Sequence, residues 1–167
     1  MKTLGSLLQV PPKTLNSETL YLVGLVTVAA VIHLISMSIR VGSARHKYKV
    51  VPPKIDGPAP FNLVYRAHQN SVENFPIFLG ALWTAAIFFH QIPAAIFGVF
   101  YIVAREIYFL GYSSKAERRG LGFALSFLSL LGLVALASVG AGAAGYRAYR
   151  GQDILKGWLQ YIPVPYL

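Results

Sequence analysis

The chain has 167 residues, 55% hydrophobic and 13% charged, with a formal net charge of +9 and a mean hydropathy of +0.53. This is too apolar for an ordinary soluble domain and points to one compact membrane-embedded unit. With no cysteine in the chain, a disulfide framework, a thiolate metal site and a cysteine nucleophile are all excluded, so any thiol chemistry must use a sulfur brought by the substrate.

In chain order, residues 1–17 carry Lys2, Lys13 and the pair Pro11–Pro12. Their apolar stretch Leu4–Val10 is short and lacks a following small-residue cleavage site, which argues against a signal peptide and for a tail on the membrane surface. The first predicted span, Leu20–Arg40, has close to the roughly 20 residues a bilayer crossing needs. The Pro- and Gly-rich stretch GSARHKYKVVPPKIDGPAP then predicts the end of the helix. A second span begins near Phe61, with a polar first half (FNLVYRAHQNSVEN) and an apolar second half (FPIFLGALWTAAIFF), and Pro76 lies where a kink is expected. After a short uncharged loop containing His90 comes a third span, Pro93–Tyr112, and then the basic loop SSKAERRG. The fourth span, Leu121–Tyr146, ends in ALASVGAGAAG, a run that lets helix backbones approach closely in lipid. The division is a tail at 1–17, a four-span domain at 18–146 and a tail at 147–167. In the last, charges alternate with Trp158, Tyr161 and Tyr166 as in an interfacial segment.

The basic residues lie between apolar runs and do not coat a polar face interleaved with aromatics, so nucleic acid is not the expected partner. Arg45, Lys47, Lys49 and Lys54 in one loop and Lys115, Arg118 and Arg119 in another fall on the same side of a four-span chain. By the positive-inside rule both loops face the cytosol.

Ionisable and amide side chains within a span each cost about 2.5–3.5 kcal/mol on insertion scales and so mark candidate sites. Arg66, Asn70 and Glu73 fall at i, i+4 and i+7 and share one helical face. Tyr101, Arg105, Tyr108 and Tyr112 repeat that spacing, and Arg119 joins them if the helix runs on into the basic loop. Such a set suits a zwitterionic peptide with two carboxylates. Singly, several of these residues have simpler readings: Arg45, His46, Lys47, Lys49 and Arg119 as topology determinants, Tyr108 and Tyr112 as interface aromatics, and Arg66, Asn70 and Glu73 as helix glue. His33, with no second metal ligand spaced near it, reads as an interhelical hydrogen-bond partner, and no metal site is expected. The residues alone give a polar pocket in a four-span bundle without naming its ligand.

The segments ARHKYKV (44–50), FNLVYRAHQNSVENFPIF (61–78), ALWTAAIFFH (81–90) and REIYFLGY (105–112) carry a resemblance. The block RAxxNxxExxP followed by YFxGY is similar to that of the membrane-associated proteins in eicosanoid and glutathione metabolism, over about residues 20–145, and to the glutathione-transferase and leukotriene-synthase members in particular. The resemblance implies an all-α, four-helix transmembrane bundle assembled as a homotrimer in the endoplasmic reticulum and nuclear envelope. Glutathione is the implied co-substrate, bound between protomers, and the partner substrate is a lipophilic electrophile or lipid hydroperoxide reached through the membrane lipid. It assigns glutathione contacts to Arg45, Arg66, His68, Asn70, Glu73, Tyr108 and Tyr112, and thiolate stabilisation to Arg119. His46 stands where the synthase has an arginine proposed to assist protonation at the electrophile, and Asn74 stands where it has a tyrosine. Two rivals are a non-catalytic, lipid-presenting member of the family, like the activating protein of five-lipoxygenase, and a small channel or transporter using Glu73, Arg105 and Glu106. The first lacks counterparts of Arg66 and Arg119. The second is disfavoured by the absence of an inverted repeat.

Overall fold

The computed structural model describes residues 20–151; the predicted surface tail at 1–17 and most of the predicted interfacial tail lie outside them. Four long helices account for the described chain: α1 (Tyr21–Tyr48), α2 (Ala59–Phe88), α3 (Gln91–Ser114) and α4 (Gly120–Arg150), with a 3₁₀ turn at Ala116–Arg119 before α4. All four are long and apolar enough to cross a membrane. The connections alternate direction, so the end of α1, the start of α2, the end of α3 and the start of α4 lie at one end of the bundle. The polar residues of the sequence motifs cluster at that end.

The first helix runs further than the sequence suggested. Instead of stopping near Arg40 it continues through Gly42 to Tyr48. A glycine inside an exposed helical face costs only about 1 kcal/mol, and the first proline able to break the pattern is Pro52. The helix ends in a Schellman arrangement: Val50 N–H donates to Arg45 O at 3.0 Å and Lys49 N–H to His46 O at 3.4 Å. Lys49 takes the left-handed position at φ 54° that glycine usually fills. Arg45 and His46 therefore sit on the last helical turn and not in a loop. The second helix passes through Pro76 as one 30-residue segment.

The core is layered along the bundle. Val23, Val26, Phe78, Leu82, Ala85, Ala94, Tyr101 and Leu133 form the largest cluster, where the Phe78 and Tyr101 rings stack at 4.1 Å and 8°. Small residues set the closest approaches. A methyl group at Gly140, within the predicted small-residue run, would strike the Phe88–Phe89 backbone, and one at Gly122 would strike the backbone of Tyr108. The chain leaves α2 through His90, whose Nδ1 accepts from Ile92 N–H at 3.2 Å and so caps α3, a role that its place in a short loop did not disclose.

Candidate glutathione site

Arg105 is the anchor of the polar end. It is buried, 4% exposed, and its Nη2 donates to Ser71 Oγ at 2.8 Å and to Asn70 Oδ1 at 3.3 Å. A guanidinium only donates, so the Asn70 atom facing it must be the carbonyl oxygen. That fixes the Asn70 amide with its NH₂ group turned away from Arg105 as a donor. Asn74 Nδ2 reinforces the same polarity by donating to Asn70 Oδ1 at 3.4 Å. Ser71 is itself buried and also donates to Ala67 O at 2.9 Å, leaving its lone pairs for Arg105.

An aromatic and cationic ladder leads outward from this anchor. The Arg105 guanidinium carbon lies 4.3 Å from the Tyr108 ring centre, the Tyr108 and Tyr112 rings are 5.7 Å apart, and the Arg119 guanidinium carbon lies 5.4 Å from the Tyr112 ring centre. Tyr108 is buried, Tyr112 half-buried and Arg119 exposed.

Arg119 reaches this ladder by a different route from the one its spacing suggested. Helix α3 does not extend to it. The helix ends at Ser114, Lys115 is extended, and the 3₁₀ turn folds the chain back. The return is so close that a side chain on Gly111 would collide with the carbonyl of Arg118, which accounts for the glycine between Leu110 and Tyr112.

The remaining candidates are spread around this core. Arg66 and Glu73 are exposed and His68 is half-buried, and Gln69 Nε2 donates to Glu73 Oε1 at 3.2 Å. Arg45 faces its own loop: Nη1 donates to Lys54 O at 2.7 Å, and the guanidinium lies 5.3 Å from the Phe61 ring and 5.6 Å from the Tyr65 ring. His46 is exposed on the last turn of α1. Among the described residues no group of three or more His, Cys, Asp or Glu could hold a metal.

One residue and one partner were not assigned from sequence. Ser71 gave no signal, being one small hydroxyl among many. His33 was expected to bond another helix, and its partner is Glu106: Nε2 to Oε2 is 2.9 Å. Arg40 Nη1 donates to the other oxygen of Glu106 at 2.7 Å and stacks 5.1 Å from the Phe109 ring. This bridge ties α1 to α3 and neutralises the Glu106 charge within the span.

With this geometry in view, comparison with known sequences becomes informative. The profile of the MAPEG family matches residues 23–139, which takes in Arg45, the whole α2 motif, the α3 ladder and Arg119. The chain belongs to the MAPEG family. Within it, the chain is 49% identical over 87 residues to microsomal glutathione S-transferase 2 of Mus musculus, covering 52% of this chain and 59% of the relative. It is 44% identical over 102 residues to leukotriene C4 synthase of Rattus norvegicus, covering 61% and 68%. An uncharacterized protein of Synechocystis sp. is 40% identical over 105 residues, covering 63% of this chain and 77% of its own length. The chain thus spans about 59% of the length of the mouse transferase it matches.

Proposed function

We propose that the protein is a membrane glutathione transferase that activates the thiol of glutathione and adds it to a lipophilic electrophile. The observation that carries this reading is the Asn70 amide, locked by buried Arg105 with its donor outward, beneath a ladder that ends in Arg119. The names of the relatives support the same substrate pair.

In this reading Arg66, His68, Asn70, Glu73, Tyr108 and Tyr112 contact glutathione, with Arg45 at the margin. Asn70 supplies N–H groups to a peptide carbonyl or to the sulfur, while Glu73 and Arg66 address the charged ends of the peptide. A thiol with a pKa near about 8.5 is mostly protonated at neutral pH, yet the thiolate is the nucleophile. Arg119, always charged, favours the anion; lowering the thiol pKa by roughly two units corresponds to about 2.7 kcal/mol. The thiolate attacks an electrophilic carbon, a C–S bond forms, and in an epoxide the C–O bond breaks to an alkoxide that takes a proton from His46 or solvent. With a lipid hydroperoxide the thiolate attacks the terminal oxygen, an S–O bond forms as the O–O bond breaks and the lipid alkoxide leaves as the alcohol after protonation, and a second glutathione displaces water from the sulfenic acid to give the disulfide.

The exposed Arg66 and Glu73 support assembly as a homotrimer. A charge facing lipid within a span costs about 2.5–3.5 kcal/mol, and a neighbouring protomer and a zwitterionic ligand remove that cost together. The electrophile arrives from the bilayer, where apolar surface binds its chain at about 25 cal/mol per Å². The basic loops face the cytosol of the endoplasmic reticulum and nuclear envelope.

Ultraviolet difference absorbance of the detergent-purified protein titrated with glutathione tests the activation step. A saturable thiolate band near about 240 nm at neutral pH is expected, because ionisation of the sulfur precedes attack. No band and no calorimetric binding would refute the reading in favour of lipid presentation.

A further inference from the structure

Tyr101 and Arg105 stand one turn apart on α3, each 4% exposed, and both line a small, partly open cavity of about 20 Å³ between α1, α2 and α3. Ala30, His33, Leu34 and Met37 of α1, Ser71 and Phe75 of α2 and Ile102 of α3 complete its walls. The Tyr101 hydroxyl and Arg105 Nε are fully buried and find no hydrogen-bond partner among the described residues. Neither group can turn elsewhere. The Tyr101 ring is clamped by stacking on Phe78 at 4.1 Å, and the guanidinium is held through Nη2 by Ser71 and Asn70.

Leaving such donors unpaired in the interior of a lipid-embedded bundle would cost about 1–3 kcal/mol apiece, more for the charged one. A polar space of roughly 10–15 Å³ or more with two to four partners is what a single buried water requires. The partners here are complementary: Arg105 Nε–H only donates, whereas a phenol hydroxyl both donates and accepts.

We infer that this cavity binds one structural water, which accepts from Arg105 Nε–H and is hydrogen-bonded to the Tyr101 hydroxyl. The water completes the guanidinium's bonding at Nε, next to the Nη2 bonds to Ser71 and Asn70, and so fixes its plane. A fixed plane holds Nη2 on Asn70. The site lies behind the proposed glutathione face and does not depend on that reading.

The test is a structure of the full-length protein in lipid nanodiscs or crystals at a resolution that shows ordered solvent, with Tyr101→Phe measured beside it. Solvent density within about 2.7–3.2 Å of both Arg105 Nε and the Tyr101 oxygen is expected. Tyr101→Phe keeps the stack on Phe78 and removes only one partner of the water, so Tm should fall by about 2–8 °C. An empty cavity, or an unchanged or raised Tm in Tyr101→Phe, would show an unbridged hydroxyl and overturn the inference. An anomalous peak at this position in crystals grown in bromide would overturn it in favour of a halide.

Discussion

Asn70→Asp separates the two jobs that the structure gives this side chain. The wild-type oxygen accepts from Arg105 Nη2 at 3.3 Å, and the amide nitrogen points away as the donor for a ligand. Aspartate keeps an oxygen against Arg105 and adds a charge. A neutral hydrogen bond contributes about 0.5–1.5 kcal/mol and one to a charged group about 1.5–3. The gain is favoured because Arg105 is buried with no carboxylate partner among the described residues. Folding stability should therefore hold or rise by about 1 kcal/mol. Binding should respond in the opposite sense. The variant offers no N–H to glutathione and sets a carboxylate against an acceptor, so about 1–3 kcal/mol is lost, roughly a 5- to 150-fold weaker Kd. Thermal denaturation and calorimetric titration of one detergent preparation read both quantities. Wild-type affinity in Asn70→Asp would refute the assignment of the amide as the ligand donor. A large fall in Tm would instead refute the Arg105–Asn70 contact as the thing that orients it.

Arg119→Ala should leave glutathione binding largely intact while the thiolate band at pH 7 and conjugation each fall about 25-fold, the change in thiolate fraction when the thiol pKa returns from about 6.5 to about 8.5; unchanged turnover would remove Arg119 from the mechanism. Gly111→Ala places a methyl group against the Arg118 carbonyl, and overpacking of this kind costs about 1–3 kcal/mol. Its Tm should fall, and activity should fall with it as Arg119 is pushed off Tyr112. Arg45→Ala removes the bond to Lys54 O and the stacking on Phe61 and Tyr65, about 1–2 kcal/mol together. Limited proteolysis should then cut faster within 50–58, and an unaltered cleavage rate would show that Arg45 does not hold the loop.

The number of spans, their order and the residues on the polar faces of α2 and α3 were all determined by the sequence itself. Hydropathy over roughly 20 residues and a spacing of i, i+4, i+7 are local properties of the chain, and a bilayer leaves a long apolar segment few alternatives to a helix. The family pattern in 66–76 and 108–112 is equally local. The partners of those residues are not. That Arg105 turns to Asn70 and Ser71, that Glu106 takes both His33 and Arg40, and that Arg45 is held by its own loop depend on how four helices rotate against one another. That rotation is set by which small residues meet which backbones, as at Gly122 on Tyr108 and Gly140 on Phe88. Arg119 shows the difference most clearly. Its spacing suggested a continuing helix, yet it reaches Tyr112 because the chain reverses over Gly111, a contact between backbones that no periodicity records.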